Sequence, residues 1–225
     1  MALKLLLKTA MTRRRFFNIR SSLKVVFDDD VTAEEKNKNK IWKVALLFDS
    51  VLFGCRSQER PIHLSIDEMI VPFSGQCGIR QYCPGKPNPV GIKIFVLASP
   101  DGIVLGMLPY QGKTTFPDLI DTGYTLGEAA IIRLCDTLVP RHFLYFDRYF
   151  TTIKLADVLL EKGYHGTGTI ARNRIPKNCL LTQEKIFMKR PRGTTETKCR
   201  NDGTVSIAIH SYQDISYILT GTLQQ

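Results

Sequence analysis

No stretch of this 225-residue chain approaches the about 18 consecutive apolar residues of a transmembrane helix, so no membrane span is expected. The apolar run in Met1–Lys8 is too short and too interrupted for the core of a secretory leader. Cysteine is present six times, at 55, 77, 83, 135, 179 and 199, but never as C-x-x-C. That scatter favours neither a zinc site nor a disulfide framework, and reduced intracellular thiols are the simplest reading. The phosphate-cradling loops G-x-x-x-x-G-K-[ST] and G-x-G-x-x-G are missing, and Gly166-Thr167-Gly168-Thr169 matches neither. No G-x-S-x-G nucleophile elbow occurs either. Acidic residues are lacking at one end altogether: residues 1–24 carry seven Lys/Arg and no Asp or Glu.

What is present reads as a globular chain with a real core, at 44% hydrophobic and 23% charged. Its net charge of +10 is clustered. Besides the basic start, residues 168–200 set nine Lys/Arg against Glu184 and Glu196, and the remainder is mildly acidic. Basic segments flanking an acidic centre suit a polyanion, nucleic acid first, although a solvated surface gives the same composition.

The first 55 residues read as helical, from the apolar spacing around Arg13–Arg20 and Ile41–Phe48, with the polar run Asp28–Lys40 as a loop between them. From residue 62 the period changes to two. Ile62, Leu64 and Ile66 alternate with His63, Ser65 and Asp67, a strand signature. Gly91–Ala98 and Ile103–Leu108 read as two further strands, joined by the turn Ser99-Pro100-Asp101-Gly102. Thr125-Leu126-Gly127-Glu128 is a capping box ahead of a helix over 129–139, which Pro140 stops. Phe143–Phe146 is a fourth strand, and Thr151 or Thr152 caps a helix over 153–162 that ends at Gly163. His165–Ile170 is a fifth strand. The order is β-β-β-α-β-α-β. Arg172–Arg200 is basic with little periodicity; Asn201-Asp202-Gly203 then turns the chain into Val205–Ile209, and Ile215–Leu219 is a last short strand.

Two aspartates stand out because they interrupt apolar strands, where an ionised carboxylate is costly unless paired or metal-bound. Asp67 ends the alternation of the first strand, on the face opposite Leu64 and Ile66, and Asp147 closes the fourth. If those strands are neighbours, the two carboxylates meet at one end of the sheet. Oxygen ligands of this kind suit Mg²⁺ or Mn²⁺ in phosphodiester chemistry. The competing reading is structural: Asp147 caps the following helix and Asp67 pairs with a Lys or Arg. Glu68 points away from Asp67 and reads as an ion-pair partner. His63 and His142, single histidines beside apolar strands, read as structural. No third carboxylate in a convincing context follows.

At these residues the chain resembles a known family. Ser65-Ile66-Asp67-Glu68-Met69-Ile70-Val71-Pro72-Phe73-Ser74-Gly75, Arg80–Pro87 with Gly91–Ile94, Tyr145–Ile153, and Gly163–Ile170 with Arg172-Asn173-Arg174 resemble, in order, segments of piggyBac-type transposases. Met11–Val26 and Lys40–Val44 are similar to that family's helical lead-in, and the resemblance spans about residues 11–178.

The resemblance implies an α/β fold with an RNase H-like catalytic core at 61–178. A helical lead-in at 1–60 precedes it, and the truncated start of a β-rich insertion region follows at 179–225. It implies three-aspartate chemistry with two divalent ions, Mg²⁺ or Mn²⁺. Asp67 and Asp147 match the first two aspartates, as vestigial catalytic and metal residues. Nothing matches the third: Asp202 and Asp214 fall in insertion-like stretches, and the Cys-rich DNA-binding domain has no counterpart. Gln76 stands where the family has a basic residue, and Arg148 where it has Asn, beside a metal carboxylate. The function implied is a transposase-derived protein without autonomous transposase activity, retaining DNA binding. An active metal-dependent transposase or nuclease and a non-catalytic interaction module are its competitors. DNA is the expected partner, with Arg80, Lys86, Lys93, Arg172, Arg174 and Lys177 as phosphate contacts. If Arg172, Arg174 and Lys177 all touch phosphate, neutralising them lowers the salt slope of binding by roughly 2–3 units. A homodimer is an open assembly, no membrane or small-molecule substrate is expected, and the expected location is the nucleus.

Overall fold

A computed structural model describes residues 11–211 and 215–222. The described residues fall into two compact units, one ending at Val51 and the other beginning at Leu52.

The first unit is helical. Helix α1 (Arg13–Ser22) starts at Thr12, whose hydroxyl accepts from the amide of Arg15, and buries none of its residues. The guanidinium groups of Arg13 and Arg20 both lie over the Phe17 ring. The polar run expected to be a loop contains a helix, α2 (Ala33–Lys38), held by a complete capping box between Thr32 and Glu35. With no buried residue it has no apolar period to betray it, and its caps alone specify it. Helix α3 (Ala45–Arg56) begins in this unit and ends beyond Val51, in the second.

The second unit is built on a sheet of nine strands among the described residues. In chain order they are β1 (His63–Pro72), β2 (Arg80–Tyr82), β3 (Val90–Ala98), β4 (Val104–Pro109), β5 (Phe143–Phe146), β6 (His165–Thr169), β7 (Thr195–Cys199), β8 (Val205–Ser211) and β9 (Ile215–Gly221). β1, β3 and β4 pair antiparallel, as expected of three consecutive strands, and the short β2 shares the outer edge of β3 with β4. The sheet then turns parallel: β1 pairs β5 and β5 pairs β6. β9, β8 and β7 continue it antiparallel beyond β6.

The helices between strands are α4 (Pro117–Asp121), α5 (Leu126–Cys135), α6 (Ile153–Glu161) and α7 (Glu184–Phe187). The expected capping box opens α5: the Thr125 amide donates to Oε2 of Glu128 at 2.7 Å, and the Glu128 amide donates to the Thr125 hydroxyl. Glu128 is itself buried and accepts a further bond from the Thr152 hydroxyl, so one carboxylate ties the start of α5 to the start of α6. The helix stops at Cys135, short of the expected 139, because Thr137 and Leu138 close turns onto Leu134 and Cys135. Thr152 is the cap of α6. The basic stretch of little periodicity holds α7 and β7, whose short lengths leave no room for a period.

One apolar cluster packs Leu64, Ile66, Phe95, Leu97, Leu144 and Phe146 of the sheet against α5 and α6. A second gathers Ile207, Ile209, Tyr217 and Leu219 around Phe187 and Ala156. The strand alternation that sends Leu64 and Ile66 inward leaves His63, Ser65, Asp67, Met69 and Val71 on the opposite, exposed face.

A candidate carboxylate site at the end of two parallel strands

The parallel pairing of β1 and β5 matches Ser65 with Tyr145 and Ile66 with Phe146. Asp67, the next residue of β1, and Asp147, the first residue after β5, therefore follow the last matched pair, brought together from 80 positions apart in the chain. Both are exposed. Each has one oxygen fixed by a nearby amide: Asp67 Oδ1 accepts from the amide of Glu68 at 2.7 Å, and Asp147 Oδ1 from that of Tyr149 at 2.9 Å. Neither makes an ion pair among the described residues. Asp147 closes the turn after β5, while Thr152, not Asp147, caps the helix that follows.

That turn is held tightly. The Thr151 hydroxyl donates to the Asp147 carbonyl at 2.8 Å. From β6, Gly168 leaves the space that permits this: a Cβ there would lie 2.7 Å from the Phe146 carbonyl oxygen. From the segment after β6, Nη1 of Arg174 donates to the carbonyls of Arg148, Tyr149 and Thr151 at 2.7, 3.1 and 2.9 Å.

Glu68 faces the core side of β1 with its side chain 14% exposed, and it forms the expected ion pair: Lys86 Nζ lies 3.2 Å from Oε1. Its other oxygen, Oε2, is buried without a partner. The hydrogen bond to Glu68, reinforced by the charges of Glu68, Asp67 and Asp147, holds the Lys86 ammonium above its usual proton affinity. Arg148, the residue expected to compete with a cation beside Asp147, makes no ion pair among the described residues, whereas Lys86 is one basic group on which both aspartates act. No local pattern marks it, because its position depends on how the segment between β2 and β3 folds back.

Four of the other five expected phosphate contacts have partners within the protein. Arg80 Nη1 donates to the carbonyls of Ser74 and Gly75 at 3.4 and 3.1 Å. Arg172 pairs with Glu184 at 2.6 Å. Lys93 lies over the rings of Phe95 and Tyr149. Lys177 alone of the six is exposed with no bonded or ring partner among the described residues. The histidines are satisfied: His63 Nδ1 is 3.1 Å from the Tyr145 hydroxyl, and buried His142 Nδ1 is 3.0 Å from the Pro61 carbonyl.

The donor set suits one hard cation in ligand type, two carboxylates each with an oxygen to spare. It does not suit two: no group of three or more His, Cys, Asp or Glu able to hold a metal exists among the described residues. Asp202 is engaged by Arg200 at 2.8 Å and by the amide and hydroxyl of Thr204. Asp214 lies outside the described residues.

The family model described as Transposase IS4 matches residues 4–219. The chain belongs to this transposase family, among the piggyBac-type transposase-derived proteins. It is 28% identical over 205 residues to human PiggyBac transposable element-derived protein 3, covering 89% of this chain and 33% of that protein. With human PiggyBac transposable element-derived protein 2 it shares 29% over 221 residues, 95% of this chain and 35% of the relative. The chain thus spans about a third of the length of these curated relatives. The cryo-EM structure of a piggyBac transposase synaptic complex with hairpin DNA superposes with a TM-score of 0.80 at 25% identity, over 96% of this chain and 44% of that one. The mixed sheet of this piggyBac-type chain is accordingly the RNase H-like core of DDE nucleases.

Proposed function

We propose that this chain is a DNA-binding derivative of a piggyBac-type transposase that does not cut DNA by itself. The observation that carries this reading is the placement of Asp67 and Asp147 one residue beyond the Ile66–Phe146 pair of β1 and β5, with no third carboxylate joining them among the described residues. Two-metal phosphoryl transfer holds its ions about 3.5–4 Å apart, and that needs more carboxylates than two. Asp67 and Asp147 would hold a single Mg²⁺ or Mn²⁺, which when bound polarises a phosphate oxygen. The protein's own part is orientation. The Glu68 and Tyr149 amides each fix one carboxylate oxygen, and Arg174 fixes the turn that carries Asp147.

DNA as the partner class is supported by the net charge of +10 and by the hairpin DNA of the similar synaptic complex. Contact through surface cations such as Lys177 and the arginines of α1 gives binding of low sequence preference that works by counterion release. A nuclear location accompanies that partner. The test uses residues 1–225 with transposon-end duplex DNA and Mg²⁺ or Mn²⁺. Binding that falls steeply with salt, with no strand cleavage, is expected. Nicking that disappears in Asp67→Asn would restore the nuclease reading, and salt-insensitive or absent binding would favour an interaction module.

A further inference from the structure

The sheet ends on an open strand. Among the described residues β7 is the last strand in the order and pairs on one side only, with β8. Just beyond its two ends the Arg200 amide donates to the Val205 carbonyl, and the Thr194 carbonyl accepts from the Ser211 amide. An antiparallel ladder alternates, so the even-numbered residues bond to β8 and the backbone groups of Thr195, Thr197 and Cys199 point the other way. No hydrogen bond reaches those outward amides and carbonyls among the described residues. The same three residues are exposed. The other border of the sheet is less open: β2 has three residues, and the Leu105 carbonyl of β4 accepts from Nη2 of Arg60 at 3.3 Å. An unpaired edge is a template for a further strand.

The side chains of β7 say which strand fits. Glu196 and Lys198 share one face, beside Ile209 and Ile207 of β8. Glu196 is held in place by the amide and hydroxyl of Thr182 at 3.1 and 2.6 Å and by Arg190 at 3.2 Å. Lys198 is exposed and makes no ion pair among the described residues.

We propose that the open edge of β7 docks a second copy of this chain, the two β7 strands pairing antiparallel about a two-fold axis at Thr197. Such a contact is self-complementary. Thr197 then bonds to Thr197 of the second copy, and Thr195 to its Cys199. Glu196 faces Lys198 of the second copy, and Lys198 faces its Glu196, in the non-hydrogen-bonded positions where side chains come closest. An axis at Glu196 would set that carboxylate against its own copy, and an axis at Lys198 would do the same to the ammonium. Like charges directly opposite destabilise a strand pair, so charge selects the axis at Thr197. This assembly is independent of whether Asp67 and Asp147 hold a cation.

The experiment is sedimentation equilibrium of residues 1–225, freed of DNA so that a shared duplex cannot join two copies. The proteins are the wild type, Thr197→Pro, Lys198→Gln and Lys198→Glu, each checked for folding by circular dichroism. The wild type should form a reversible dimer in the micromolar range. Thr197→Pro removes an outward amide and leaves the bonds to β8, so it should fold and stay monomeric. Lys198→Glu turns two attractive pairs into repulsive ones and should weaken the dimer roughly tenfold or more, with Lys198→Gln in between. A Thr197→Pro dimer as tight as the wild type would place the contact on another surface. A Lys198→Glu dimer as tight as the wild type would mean that the charges do not set the register. Either result overturns the proposal, as does a wild type that is monomeric throughout the micromolar range. Should Thr197→Pro not fold, Thr197→Lys carries the same comparison, because that side chain is exposed and meets its own copy at the axis.

Discussion

Nη1 of Arg174 donates to the backbone carbonyl of Thr151 at 2.9 Å, and the same nitrogen reaches the carbonyls of Arg148 and Tyr149. A residue from one of the two basic parts of the chain is thus spent on the turn that presents Asp147. Replacing it with Ala leaves those carbonyls without their charged donor and should cost about 2 kcal/mol in urea unfolding. Arg174→Lys should recover only part of that, because an ammonium lacks the planar fork. Equal stability of wild type and Arg174→Ala would show that the turn holds itself.

The same geometry changes what salt titration of DNA binding should show. With Arg174 turned inward and Arg172 paired to Glu184, Lys177 is the member of the trio left to meet phosphate. Neutralising all three should lower the salt slope by about 0.9, one phosphate contact, and not by 2–3. A fall of two units or more would mean that the arginines leave their protein partners when DNA binds.

Glu128 joins two helix starts through one buried carboxylate. Glu128→Ala removes the acceptor of the Thr125 amide and the Thr152 hydroxyl together. The expected loss is about 3 kcal/mol by chemical denaturation, since hydrogen bonds to charged groups are each worth about 1.5–3 kcal/mol. Thr125→Ala, which removes only a cap hydroxyl, should cost about 1 kcal/mol. Similar losses for the two would argue against a special part for the carboxylate.

Gly168→Ala tests the packing behind Asp147. Its added methyl would meet the Phe146 backbone oxygen at 2.7 Å, which cannot swing aside as a side-chain end could. A loss of about 1–3 kcal/mol is expected, seen as a lowered melting temperature. Gly193→Ala, where the surroundings are open, loses stability through its φ of 83° alone.

Burial pushes the Cys135 thiol up to about 12, assisted by the charge of Asp136. An unfolded thiol ionises near about 8.5. The folded state therefore keeps its proton where the unfolded state has lost it. The contribution to stability is full below about pH 8.5 and declines as pH rises toward 12. At pH 8 iodoacetamide should label exposed Cys199 and spare Cys135 until the protein unfolds. Equal labelling of the two in the folded protein would contradict the placement of α5.

Much of this architecture is written in local pattern. The period-two alternation of Leu64 and Ile66 sets which face of β1 is buried, and so sends Asp67 to the other. Thr125 with Glu128 and Thr152 start their helices by hydrogen bonds that span three residues. Such contacts depend on near neighbours, so they are legible in the chain itself. The candidate site was legible to the same extent: two carboxylates where strands should be apolar, in segments that resemble one family. What only the tertiary structure decided is who meets whom. The parallel pairing of β1 with β5 aligns Asp67 and Asp147 after a long excursion through β3, β4 and α5. The fold-back before β3 delivers Lys86 to Glu68, and the chain after β6 turns Arg174 away from solvent. α2, α7, β2 and β7 bury too few residues to show a period. A charged side chain looks the same in sequence whether it faces water, a carbonyl or a carboxylate, and that choice is made by packing across the sheet.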